Sequence, residues 1–137
     1  MRLACVQSKV HFGKPNWNAE AAETHIANLA RDGVQLAIFP EAYLTGYCVD
    51  DREGARSIAI PIHHEALQRL QNASDRLGIA AIVGFAEVDH GDLYNCAALF
   101  EPDVEPRFYR KSHLPELGLD KYVGRGDELP VFDTKLG

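Results

Sequence analysis

Glu41 and Lys111 are the two residues of this sequence whose types and settings best suit chemistry. Glu41 lies in Phe39-Pro40-Glu41-Ala42-Tyr43-Leu44-Thr45-Gly46-Tyr47, directly after the nearly all-apolar run 34–39. A carboxylate at the C-terminal end of a buried strand sits where α/β sheets place ligands and catalytic groups. Its apolar and aromatic neighbours would partly desolvate it, as suits a general base. The plainer alternative is a solvated glutamate that caps a loop. Lys111 lies in Phe108-Tyr109-Arg110-Lys111-Ser112-His113-Leu114-Pro115, at the end of another short strand. An ammonium held there beside a carboxylate can stabilise a developing oxyanion. Read alone, it is as easily half of a surface basic pair with Arg110.

The elements that must position these groups follow a repeated grammar. Residues 2–8 read as a short buried strand. Pro15-Asn16 breaks the chain, and Asn16 or Asn18 can cap the helix that follows by accepting from its free N–H groups. Ala22, Ile26 and Leu29 recur at helical spacing through 18–32, Gly33 supplies a C-terminal cap, and 34–39 is the strand that ends at Glu41. The same order repeats with Ala66, Leu70, Ala73 and Leu77 on one helix face over 62–77, then Gly78, then an apolar strand from Ile79. Helix-then-strand alternation with strands this apolar points to a layered α/β sheet.

After that the pattern changes. Asp89-His90-Gly91-Asp92 separates two strand-like runs, 79–87 and 93–100, as in a hairpin. Glu101-Pro102-Asp103 makes a further turn into a strand at 107–110, so the sheet is expected to be mixed. Residues 111–130 read as a long, ordered, non-regular loop, of the kind that is often functional. Val131-Phe132-Asp133-Thr134 reads as the start of another strand.

The 137 residues suit one domain, and 46% hydrophobic with 25% charged residues is an ordinary globular composition. A net charge of −6 argues against a nucleic-acid partner, which would need a basic stripe. No apolar run approaches the roughly 20 residues that span a bilayer, and none of signal-peptide length opens the chain. The expectation is therefore a cytoplasmic protein with no membrane partner. The six histidines form no HxxxH or HExxH pair and the three cysteines no CxxC, so no metal and no disulfide framework is expected. No glycine-rich phosphate loop follows a strand, and no cofactor is expected.

Taken together, Phe-Pro-Glu-x-x-Leu-Thr-Gly-Tyr from Phe39 and Tyr-Arg-Lys-x-His-Leu-Pro from Tyr109 resemble the carbon–nitrogen hydrolase (nitrilase/amidase) superfamily. Leu3 to Gln7, the Gly84 strand and Leu93-Tyr94-Asn95 fall in the family's order, so the resemblance covers nearly the whole chain. It implies an α/β fold, an α-β-β-α sandwich with mixed sheets, of which residues 1–137 make about the N-terminal half. It further implies a Glu–Lys–Cys triad that cleaves an amide, carbamoyl or nitrile carbon–nitrogen bond, with Glu41 as general base and Lys111 as the oxyanion-stabilising lysine. The family's nucleophile lies in a Gly-x-x-Ile-Cys-Tyr-Asp-like segment that these residues do not contain, and the 137 residues alone are expected to be inactive.

None of the three cysteines replaces it. Cys5 and Cys96 lie in strand-like runs and read as small core hydrophobes. Cys48 follows the Tyr47 loop, in the wrong segment for the role. Around the pair, Tyr47 could stack on or cover a substrate. The resemblance also implies a second active-site carboxylate, for which Glu116 and Asp120 compete, and His113 reads as a residue that fixes its loop. The expected partners are a small amide or nitrile substrate and either further copies of the chain or a chain that supplies the missing half. The alternatives to a hydrolase are a shortened, non-catalytic family member acting as a binding module, and one half of a split enzyme.

Overall fold

Three parallel strands, each fed by a helix or a loop, and two antiparallel hairpins build one mixed sheet. A computed structural model describes all 137 residues. The elements in order are β1 (Leu3–Cys5), α1 (Pro15–Arg31), β2 (Leu36–Ile38), α2 (Arg52–Ile58), α3 (Glu65–Leu77), β3 (Ala80–Asp89), β4 (Asp92–Glu101), β5 (Val104–Arg110) and a 3₁₀ turn (Gly118–Lys121). The sheet order is β1-β2-β3-β4-β5, parallel from β1 to β3 and antiparallel from β3 to β5.

The helix-then-strand grammar is realised with shifted boundaries. α1 starts at Pro15, whose missing N–H costs nothing in a first turn. Neither Asn16 nor Asn18 caps it. The residue before the helix is Lys14, without a side-chain cap, and the buried Asn18 amide instead bonds the backbone of His11 and Leu44. α3 is capped by His64, whose Nδ1 accepts from Ala66 N at 3.1 Å, and ends at Gly78 in the left-handed region, φ +67. The β3–β4 turn has positive φ at both His90 (+47) and Gly91 (+95), the backbone that matches the twist of a two-residue hairpin. Pro106 lies within β5, tolerated because β5 is an edge strand of this sheet.

Two expectations are corrected. Residues 131–134 form no strand, since their contacts run to side chains and not to a ladder. Arg107 Nη1 donates to Asp133 O at 2.7 Å, its guanidinium covers the Phe132 ring, and Val131 is 93% exposed. Cys5 is exposed, because β1 is the other edge strand and Cys5 points away from the helices. The short helix α2, capped by Asp51 accepting from Gly54 N, has no counterpart in the sequence reading.

One sheet face carries Ala37, Ala81, Val83, Phe85, Ala98 and Phe100, and packs against Ala22 and Ile26 of α1 and Leu67 and Leu70 of α3 in the main core. The opposite face is covered only at one end, where Ala86 and Leu93 meet Ala55 and Ile58 of α2 and Leu119. Elsewhere on it, Leu36, Ile38, Ile82 and Leu99 stay partly exposed and belong to neither buried cluster.

Candidate active site

The site lies on that half-covered face, beside the α2 end. Glu41 reaches it from the turn after β2, and that turn is pinned to β3. Leu44 N donates to Gly84 O at 3.1 Å, and Ala86 N donates to the buried Thr45 Oγ1 at 2.8 Å. Gly84 is what allows the approach. A Cβ there would lie 2.5 Å from Ala42 N and 3.0 Å from Glu41 Cα. Ala42 itself takes φ +49, a conformation that costs a non-glycine residue about 1 kcal/mol and is held by these bonds.

Adjacent strands bring the other groups. Asn95 projects from β4, and Lys111 follows β5, its N–H donating to Asn95 O at 2.8 Å. Asp120 comes from the 3₁₀ turn, which is tied down by Leu119 N donating to Tyr47 O at 2.9 Å. The result is a ring. Lys111 Nζ donates to Glu41 Oε1 at 2.7 Å and to Asp120 Oδ2 at 2.6 Å. Asn95 Nδ2 donates to the same Glu41 Oε1 at 2.7 Å and to Asp120 Oδ1 at 2.7 Å. Tyr47 OH completes it with bonds to Asp120 Oδ2 at 3.2 Å and to Leu117 O at 2.9 Å.

The two carboxylates differ in their surroundings. The Asp120 side chain is fully buried, whereas that of Glu41 is 48% exposed. The expected desolvation of Glu41 by its apolar neighbours is therefore not met in these 137 residues, because the sheet face beside it is open. Burial opposes the Lys111 ammonium, but hydrogen bonds and charges from Asp120 and Glu41 outweigh it and hold Lys111 above its ordinary range. Burial first, then the charges of Asp120 and Glu41, raise the Tyr47 phenol, so it stays a neutral donor. An open cavity of about 430 Å³ begins at Glu41 and Lys111 and continues over Phe39, Ile82, Ala97 and Tyr109, with His113 at its margin. Such a cavity is large enough for a small organic molecule.

Of the residues singled out from sequence, the structure brings Glu41, Lys111, Asp120 and Tyr47 into one network. It does not bring in Glu116, which is exposed and hydrogen-bonds none of them. His113 Nδ1 pairs with Ser112 Oγ at 2.9 Å, within its own loop. Asn95 is a site residue that sequence reasoning missed. Its signal was its register: it is the neighbour of Tyr94 in a strand whose alternate residues face opposite ways. No cysteine hydrogen-bonds Glu41 or Lys111. Cys96 is buried, and burial followed by the Glu87 charge pushes its thiol well above the ordinary range. No group of three or more His, Cys, Asp or Glu side chains is placed to hold a metal ion, and no helix is long and apolar enough to cross a membrane.

Comparison with known proteins adds a name to this arrangement. The family model described as carbon–nitrogen hydrolase matches residues 2–137. An (R)-stereoselective amidase from Pseudomonas sp. is 36% identical over 114 residues, covering 83% of this chain and 40% of the amidase. A nitrilase from Pyrococcus abyssi is 33% identical over 115 residues, covering 83% of this chain and 44% of the nitrilase. Among solved structures, the CN-hydrolase superfamily protein XC1258 from Xanthomonas campestris superposes with a TM-score of 0.83 at 21% identity, over 98% of this chain and 49% of that one. The chain thus spans about half the length of the proteins it matches. The expected fold class holds, a nitrilase-like mixed α/β arrangement of which this chain covers about half. With the family model matched from residue 2 to residue 137, the chain belongs to the carbon–nitrogen hydrolase family.

Proposed function

We propose that these 137 residues are the N-terminal part of a thiol hydrolase that cleaves a non-peptide carbon–nitrogen bond in a small amide, carbamoyl compound or nitrile. The observation that carries the reading is the placement of Lys111 Nζ between Glu41 and Asp120, at the mouth of an open cavity. A free carboxylate beside a fixed ammonium can accept a proton while the ammonium stabilises charge growing on a substrate oxygen or nitrogen.

In this reading Glu41 takes the proton of a cysteine supplied by sequence outside these residues. The thiolate attacks the substrate carbon, with Lys111 facing the developing anion. Protonated Glu41 returns its proton to the leaving amine or ammonia of an amide or carbamoyl substrate, or to the nitrogen of the thioimidate that a nitrile forms, from which an added water then releases ammonia. The same carboxylate activates the water that hydrolyses the resulting thioester. Asp120 and Tyr47 keep Lys111 in place, and His113 stands at the cavity margin. The burial and raised thiol of Cys96, and the lack of any side-chain hydrogen bond from Cys5 or Cys48 to Glu41 or Lys111, support a nucleophile from elsewhere. The partly exposed Leu36, Ile38, Ile82 and Leu99 favour a second sheet over this face, from the same domain or from a partner chain.

The test is ammonia release from a panel of carboxamides, carbamoyl compounds and nitriles. The protein that carries these residues together with the cysteine segment is expected to turn over at least one class, and Glu41→Gln to lower kcat by about 100-fold or more. The 137 residues alone are expected to release none. Undiminished turnover in Glu41→Gln would remove the general base from the scheme.

A further inference from the structure

Asn95 uses both hydrogens of its amide on carboxylates, one on Glu41 and one on Asp120. Since both partners are acceptors only, the amide has one possible orientation, nitrogen inward. It is 4% exposed, so neither bond competes strongly with solvent. The consequence falls on Glu41. Its Oε1 accepts from Lys111 Nζ and from Asn95 Nδ2, while Oε2 accepts from no protein group. Asp120 has no such freedom, with Oδ1 taken by Asn95 and Oδ2 by Lys111 and Tyr47.

We propose that Asn95 is a positioning residue that ties up Oε1 of Glu41, so that Oε2 alone carries the transferred proton, and that it excludes Asp120 from acting as a rival base. The proposal rests on the general-base reading of Glu41. Without Asn95, Oε1 would keep only its bond to the flexible Lys111 chain, and the half-exposed carboxylate could rotate about its last torsion. Proton transfer is sensitive to such rotation, because a group misplaced by about 1 Å can lose about 100-fold in rate.

Two measurements test it. The first needs no turnover and uses this chain. In solution NMR the two Asn95 Nδ2 protons are both expected to be protected from exchange, with Glu41→Ala exposing one and Asp120→Ala the other, since an amide in either place would still accept through its oxygen. Two freely exchanging protons, or a pair indifferent to both substitutions, would overturn the clamp. The second uses the protein that carries the nucleophilic cysteine. Asn95→Leu, which keeps the volume and loses both donors, is expected to lower kcat about 10–100-fold with KM changed less than twofold. Asn95→Asp serves as the polar check if the leucine variant does not fold, and it is expected to lose kcat in the same way. An unchanged kcat in a folded Asn95 variant would overturn the positioning role while Glu41→Gln still abolishes turnover. Full turnover in Glu41→Gln would instead overturn the general-base reading and Asn95's part in it, and the NMR result would then describe a structural clamp only.

Discussion

Arg110 and Lys111 are neighbours in sequence, yet each is the cation of a cluster with two carboxylates, on opposite faces of the same sheet. Behind the sheet, Arg110 donates through Nε to Glu87 Oε2 at 2.8 Å and through Nη2 to Glu87 Oε1 at 2.5 Å and to Asp89 Oδ2 at 2.7 Å. Its guanidinium also lies 4.0 Å over the Tyr94 ring, and Glu87 is only 2% exposed. In front, Lys111 meets Glu41 and Asp120 by one contact each, and Glu41 keeps one oxygen free. At the rear, both oxygens of the buried Glu87 are taken by Arg110, while Asp89 stays 42% exposed; in front, it is the carboxylate facing the cavity, Glu41, that keeps an oxygen free. A fork-shaped cation locked by two carboxylates and a ring suits permanence, and a point charge on a long chain suits a group that must meet a reactant. The same charges thus give a brace on one face and a candidate reaction centre on the other.

Four variants, measured by urea unfolding, would break or sharpen that contrast. The largest loss is expected for Arg110→Met, which strands the buried Glu87 carboxylate and costs about 3 kcal/mol. The double variant Glu87→Leu with Arg110→Met should lose less than the single one, since replacing a buried pair is cheaper than halving it. A double variant as unstable as the single one would show that the brace matters for more than its charge. Lys111→Met should cost less, about 1–2 kcal/mol, because Asp120 keeps its bonds from Asn95 and Tyr47. The least is expected of Arg69→Ala, whose partner Glu23 lies on an exposed helix surface, at under about 1 kcal/mol.

The Lys111 variant also has a signature in pH. Lys111 is held above its ordinary range in the folded chain, so its contribution is complete below the unfolded value of about 10.4 and is lost as pH rises toward the folded one. Tyr47, likewise raised, adds to the same alkaline decline, because the unfolded phenol ionises first. Stability of the parent chain should therefore start to fall near about pH 9, where the unfolded Cys96 thiol ionises, and fall more steeply above about pH 10, and Lys111→Met should flatten the steeper part. An identical alkaline slope in the variant would mean that the ammonium gains nothing from its two carboxylates.

What could be seen in advance follows from which forces are local. The apolar run ending at Pro40 places Glu41, and the hairpin signal at 89–92 places β4 and with it the end of β5, because both are written in short stretches of sequence. The choice between Glu116 and Asp120 was not legible. It depends on how an irregular loop folds back to Tyr47, through bonds between residues some seventy positions apart. Asn95 stayed hidden for a similar reason, since its two partners are distant in sequence and the type alone suits many polar positions. α2 spans seven residues, too few to show a periodic stripe. The expected strand at 131–134 had the right composition, but residues 132 and 133 are held by the Arg107 side chain instead of pairing with the free edge of β5.

The two-faced dipeptide has a further meaning for how the chain finds its pairing. Slipping β5 by one residue against β4 would turn Lys111 to the rear face and Arg110 to the front, and would also turn Phe108 away from the main core and Arg107 away from the buried Glu101. Burial already disfavours that error. Geometry adds to it, because an ammonium cannot fork across both oxygens of Glu87, reach Asp89 and stack flat on Tyr94 together. The pair Arg110-Lys111 therefore adds to the registration of an edge strand, and a lysine in place of Arg110 would remove that part of the discrimination while preserving every formal charge.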